Sequence, residues 1–339
     1  MSLVRPVGAA LVLLLAQAPA QAPAQAEIIA VGPERAIKLP SLALRNASEG
    51  DTIAIDEGEY YDCLRINIAG LTIEGGGAGA VLTDTTCDGK AIIVAAGDRL
   101  TLRNLTLQRA RVPDGNGAGI RAEGSGLTIE KLRFINNQAG LLGADNPTTT
   151  IIIRDSRFEG NGQCDGTRCA PAIVVGAAAR LRIERCEITG TRDAHQIVSS
   201  ARSTEIVASR IEDGPRGTAS LQLFLPIGGS LLLEDNIFQK GPRAASLRAA
   251  VLMDGSAGEV FAARRNRFIN QTGQSVPFIL NWSDGSPVLQ GNAMEPAGDE
   301  VSTSGYLTHR AAGLLRGAKQ TARDVAGIAK RGVQSLLRW

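Results

Sequence analysis

Aromatic side chains make up only 4% of the 339 residues, and histidine occurs just twice. A core of large rings is thereby excluded. The 39 glycines suit narrow coils filled instead by Leu, Ile, Val and Ala. Neither sign of charge dominates: 36 Lys plus Arg stand against 34 Asp plus Glu, so the basic footprint of a nucleic-acid binder is missing. No Cys-x-x-Cys is present, and scarce histidine argues against a zinc site. There is no Gly-rich phosphate loop and no serine-hydrolase elbow. Carboxylates clustered as calcium needs them are not evident either. No cofactor and no metal are expected.

Long apolar runs are also lacking. Val7 to Ala16 is the first such stretch, and it falls well short of the about 20 residues that span a bilayer. With Arg5 before it and Ala24-Gln-Ala26 after it, residues 1–26 read as a secretory signal cleaved near Ala26. The mature chain is then secreted, periplasmic or held at the cell surface.

What the sequence does have is a repeat. Leu127-Thr-Ile-Glu-Lys-Leu-Arg-Phe-Ile-Asn-Asn137 places apolar residues at 127, 129, 132 and 134, a period of two broken once by a polar pair. This is two short strands joined by a bend. Similar stretches begin at Leu100, Ile151, Leu181, Thr204 (a weaker copy), Leu231 and Phe261, with spacings of 27, 24, 30, 23, 27 and 30 residues. An imperfect strand-and-turn repeat of this length predicts a parallel β-helix, whose rungs stack into one core. The domain is expected over 27–294. Its first part, 27–49, should form an N-terminal cap with a short helix near 41–45 started by Pro40.

A third strand follows the bend in each repeat. If Ile120, Leu141, Ile173, Ile197 and Leu221 point inward, the outward row reads Arg121, Leu142, Val174, Val198, Gln222. That row is the expected working face.

Five cysteines in an exported chain suggest disulfides. Cys63 and Cys87 sit in neighbouring first rungs and are expected to bridge. Cys164 and Cys169 flank an insertion and are expected to close it. Cys186 occupies the slot held by Leu132, Ser156, Ser209, Asn236 and Asn266 in other copies, which predicts a free thiol in a buried column.

Three segments carry a family resemblance: Thr86-Cys-Asp-Gly-Lys-Ala, Ala110-Arg-Val-Pro-Asp-Gly-Asn-Gly-Ala-Gly-Ile-Arg-Ala-Glu-Gly124, and Thr218-Ala-Ser-Leu-Gln-Leu-Phe-Leu-Pro-Ile-Gly-Gly229. From about Gly50 to Met294 the chain resembles secreted bacterial right-handed parallel β-helix proteins of the pectin-lyase-like superfamily. That superfamily includes polysaccharide lyases, polygalacturonases and alginate epimerases. The resemblance therefore implies extracellular carbohydrate as substrate class. Where related sequences carry a second imidazole, Tyr, Lys, Arg and two acids, this chain has Pro171, Val174, Val198, Ser200, Gln222 and Phe224, and only His195 persists. General acid–base work needs a titratable group at the proton, so catalysis on the inherited face is weakened or lost.

Two catalytic candidates remain, His195 behind Asp193, and Asp114. The binding candidates are Arg111, Asn116, Arg121, Glu123 and Gln222, because a guanidinium matches a sugar carboxylate. Against this, Pro113-Asp-Gly-Asn-Gly117 also reads as an ordinary turn. The expected function is binding of an acidic polysaccharide. The alternative is a lyase or epimerase acting on uronic-acid polymers.

Residues 295–306 read as a linker. From 307 to 339 the apolar spacing becomes helical, and seven Lys or Arg lie on or around the other face against one Asp. This basic amphipathic helix is expected either to dock on the last rung or to lie on an anionic membrane surface.

Overall fold

A computed structural model describes residues 26–308 apart from 144, 166 and 167. The expected leader lies almost wholly outside these residues, as does nearly all of the expected terminal helix. The described chain winds into a β-solenoid of about ten turns with three parallel faces. The first face holds the repeat-opening strands, such as Leu100–Arg103, Gly126–Glu130 and Asn146–Arg154. The second is a ten-stranded sheet that includes Arg133–Ile135, Arg157–Glu159 and Glu187–Thr189. The third includes Ala118–Ala122, Ala139–Gly143, Ile173–Val175 and Ile197–Ser199.

Period-two alternation decides which side chains meet. Leu127 and Ile129 are buried while Thr128 and Glu130 face outward, and Leu127 stacks on Leu100 below and Ile151 above. The weak copy at 204 keeps this column with a polar residue. Thr204 is buried and shares a 2.7 Å hydrogen bond with Ser199.

The bend between first and second faces repeats one device. A residue with φ near +50°, such as Lys131, Asp155, Arg185, Ala208, Asp235 or Arg265, reverses the chain. A small polar side chain then follows on the inside and satisfies the backbone of the rung before it. Leu132 N–H donates to Ser156 Oγ at 3.1 Å, Cys186 N–H to Ser209 Oγ at 3.0 Å, Ser209 N–H to Asn236 Oδ1 at 2.9 Å, and Asn236 N–H to Asn266 Oδ1 at 3.1 Å. Buried amides without partners are costly, and this ladder supplies them. Cys186 lies in the expected column as a free, buried thiol donating to Glu184 O.

At the corner leading to the third face, side-chain size is traded between neighbours. Phe134 and Phe158 stack with ring centroids 4.2 Å apart. A Cβ on Gly119 would come within 2.7 Å of Phe134, and one on Gly140 within 2.6 Å of Phe158. Glycine at these two positions is what admits the rings.

The N-terminal cap is a helix of four residues, Pro40–Ala43, with Pro in its first turn and Ser41 N–H held by Asp62 at 2.7 Å. Ile28–Val31 adds a strand alongside Thr52–Ile55, so the cap also extends the first face. Both expected disulfides are present, Cys63–Cys87 and Cys164–Cys169. The second closes an antiparallel excursion, Gln163–Asp165 with Arg168–Ala170. The stretch 295–306 is not a plain linker. Val301–Ser302 pairs in parallel with Ile279–Leu280, because Val301 continues the inward column of Ile279.

Candidate functional site

The third-face outward row is mostly apolar. In register after Arg121 come Leu142, Val174, Val198, Phe224, Leu252 and Leu280. Gln222 does not belong to it. The strand begins at Leu223, which pairs with Ile197, two residues later than the sequence pattern suggested. Gln222 instead turns inward at the corner, fully buried, and donates from Nε2 to Asp213 Oδ1 at 2.8 Å. Its burial is incompatible with direct binding of a polymer.

Arg121 and Glu123 do meet, within a larger charge cluster. Glu123 lies 3.8 Å from Arg121, 2.8 Å from Lys90 and 3.9 Å from Arg65, which also pairs with Asp88. These cations already have carboxylate partners.

Asp114 and Asn116 are exposed in a loop whose ends are clamped by one side chain. Gln138 Oε1 accepts from Val112 N–H at 2.8 Å and from Gly117 N–H at 2.7 Å. His195 is half-buried and meets the Phe224 ring edge-on at 5.3 Å. Burial, and then the Lys240 charge, hold its pKa below the usual imidazole range, so it is neutral at pH 7. Asp193 does not orient it. That carboxylate accepts from Thr218 Oγ1 at 2.9 Å. Asp114 and His195 precede third-face strands three rungs apart, roughly 14 Å along the axis. They do not form one acid–base pair.

A different grouping emerges where the second face ends. Asn136, Glu159, Gly190, Pro215 and their neighbours line a groove of about 580 Å³. Three exposed arginines, Arg192, Arg216 and Arg243, reach it from successive rungs. None has an ion-pair partner among the described residues. On the opposite corner, by contrast, Arg185 is held by Asp155 and Arg265 by Asp235, both at 2.7 Å. The predicted binder Arg111 lies beside the groove. It donates to the side chain of Asn136 at 2.9 Å, and burial followed by repulsion from Arg192 lowers its pKa. Glu159 is the exposed carboxylate among the lining residues. The loop shape depends on Gly217, where a Cβ would fall 2.1 Å from Asp213 O.

Beneath the groove is a buried polar floor. Asp213 accepts from Gly241 N–H at 2.8 Å as well as from Gln222, and burial raises its pKa. Lys240 is fully buried and donates to Ser220 O at 2.9 Å; burial pushes it down to about 8 against the opposing pull of Asp213. Both residues could have been read from parity. Ile211 and Phe238 point inward, so Asp213 and Lys240 do too. The three arginines carried no such signal, because loops of unequal length follow Thr189, Glu212 and Lys240.

The coil has the right-handed parallel β-helix fold. No family model and no curated protein matches the chain. Among solved structures, the alginate lyase from Paenibacillus sp. str. FPU-7 is similar with a TM-score of 0.53 and 16% identity, covering 81% of this chain and 98% of that one. The pectin methylesterase from Aspergillus niger gives a TM-score of 0.45 and 14% identity over 84% of this chain and 88% of its own. At these identities the likeness is one of fold.

Proposed function

We propose that this is an exported β-helix protein that binds an acidic polysaccharide in the Arg192–Arg216–Arg243 groove. The observation that carries the reading is three exposed guanidiniums on successive rungs without carboxylate partners. Rungs repeat at about 4.8 Å, so the cations form a row suited to a polymer whose charges also repeat. Each planar fork can take both oxygens of a uronate carboxylate. The two disulfides fit an oxidising compartment, in keeping with export. The alginate lyase with this fold has, by its name, such a polymer as substrate.

A lyase or epimerase is the second reading, favoured by one observation: Asp213, with its raised pKa, lies at the groove floor. Both its oxygens already accept hydrogen bonds, so it is poorly placed to take a C5 proton. Binding without turnover is therefore the stronger reading.

Affinity electrophoresis tests it. Polygalacturonate or alginate in the gel should retard the protein, dextran should not, and added salt should relieve the retardation because exposed charge pairs are screened. Equal mobility in all three gels would sink the proposal. Unsaturated product, seen by its absorbance, would favour the lyase reading.

A further inference from the structure

Each groove arginine stands in a loop that joins the second face to the third, and such connections are ordinarily the most variable part of a fold. These three loops are not independent. Thr218, half-buried and two residues beyond Arg216, is bonded to both of the others. Its N–H donates to Thr191 O at 2.9 Å, beside Arg192. Its carbonyl accepts from Ala245 N–H at 3.1 Å, two residues beyond Arg243. Its hydroxyl accepts from Asp193 N–H and donates to Asp193 Oδ1, both at 2.9 Å. Every groove arginine thus lies within two residues of a bond to this one threonine.

The hydroxyl has a second consequence through Asp193. That residue follows Arg192 directly in sequence and is exposed. A loose carboxylate there competes with a polymer for the guanidiniums, since both offer the same pair of oxygens. Asp193 nevertheless makes no ion pair among the described residues. Its amide and its Oδ1 close instead on the Thr218 hydroxyl, a two-point clasp that fixes where the carboxylate points.

We propose that Thr218 is the positioning residue of the arginine groove: it ties the three loops into one frame and holds Asp193 away from the guanidiniums. The role rests on the binding reading above, whereas the clasp itself is present without polymer. Valine keeps the branched shape and both main-chain bonds of Thr218 and deletes only the hydroxyl. The two hydroxyl bonds are exposed, so the coil should survive that change.

The test follows phenylglyoxal modification of Arg192 in the free protein, and retention in polygalacturonate gels. The proteins are wild type, Thr218→Val, Thr218→Ser, Asp193→Asn, and Thr218→Val combined with Asp193→Asn. In Thr218→Val the released carboxylate should pair with Arg192. Modification should slow and retention should weaken roughly fivefold, the upper range for an exposed ion pair. Thr218→Ser should match wild type, and Asp193→Asn alone should change retention by about twofold at most. Asp193→Asn in the valine background should restore both readouts, because removing a charge repairs masking and does not repair a disordered loop. Equal Arg192 modification in all five proteins would overturn the inference. So would wild-type retention in Thr218→Val, or slowing that Asp193→Asn leaves in place. Slowed and rescued modification with no retention even of wild type would uphold the clasp and sink the binding reading alone.

Discussion

Arg216→Ala combined with Arg243→Ala is expected to weaken polyuronate binding about a hundredfold. An exposed ion pair contributes roughly 0–1 kcal/mol, whereas a hydrogen bond to a charged group contributes about 1.5–3 kcal/mol. The groove arginines are exposed but converge on one cavity, so about 1.4 kcal/mol each, or tenfold, is the reasonable middle. Arg216→Lys with Arg243→Lys keeps the charge and loses the fork, and should recover only part of the affinity. Arg121→Ala should change binding less than twofold, because Arg121 sits beside Glu123 within the charge cluster. Affinity electrophoresis at fixed salt reads all three. A larger loss for Arg121→Ala than for the double alanine variant would move the site back to the third face.

Cys186→Ser should be nearly neutral for stability at pH 7 and clearly stabilising in alkali. Burial pushes the Cys186 thiol up to about 12 from its ordinary 9.0. A pKa raised in the folded state gives stability that is fully present below the unfolded pKa and lost as pH rises from there toward the folded one. The loss from Cys186 therefore runs from about pH 9 to about pH 12 and totals up to about 4 kcal/mol. Lys240 works the other way. Its folded pKa of about 8 lies below its ordinary 10.5, so the unfolded chain holds the extra proton in that interval and stability rises with pH across it. Wild-type stability should thus climb between pH 8 and 9, then level as the thiol begins to count. In Cys186→Ser the climb should continue. Serine fits the slot, since Ser156 and Ser209 occupy the neighbouring rungs of the same column and donate to Arg154 O and Val207 O. By pH 10.5 the variant should lead by about 2 kcal/mol in urea unfolding. Parallel curves for the two proteins across pH 8–10.5 would show that the thiol is not shielded as the structure has it.

The coil was legible because burial leaves a period of two in the sequence. Leu127, Ile129 and Phe134 mark it directly, and the ladder slot of Cys186 follows from spacing alone. The site was less legible, for reasons particular residues make clear. Gln222 looked outward by counting from Leu221, but the third-face strand starts two residues later, at Leu223. Loop length between faces is free to vary, so register cannot be carried across it from pattern alone. The charge cluster around Arg121 was hidden because Lys90 and Arg65, which share its neighbour Glu123, come from other rungs. Arg192, Arg216 and Arg243 lie in loops without period and come together only once the rungs stack. Lys240 could have been found, since its parity with Phe238 points it inward.

Arginine footprinting with phenylglyoxal, with and without a bound polygalacturonate oligomer, tests the central claim most directly. Oligomer should protect Arg192, Arg216 and Arg243 from modification and leave Arg65 and Arg121 as reactive as before. Protection at Arg65 and Arg121 with the groove arginines unchanged would contradict the account.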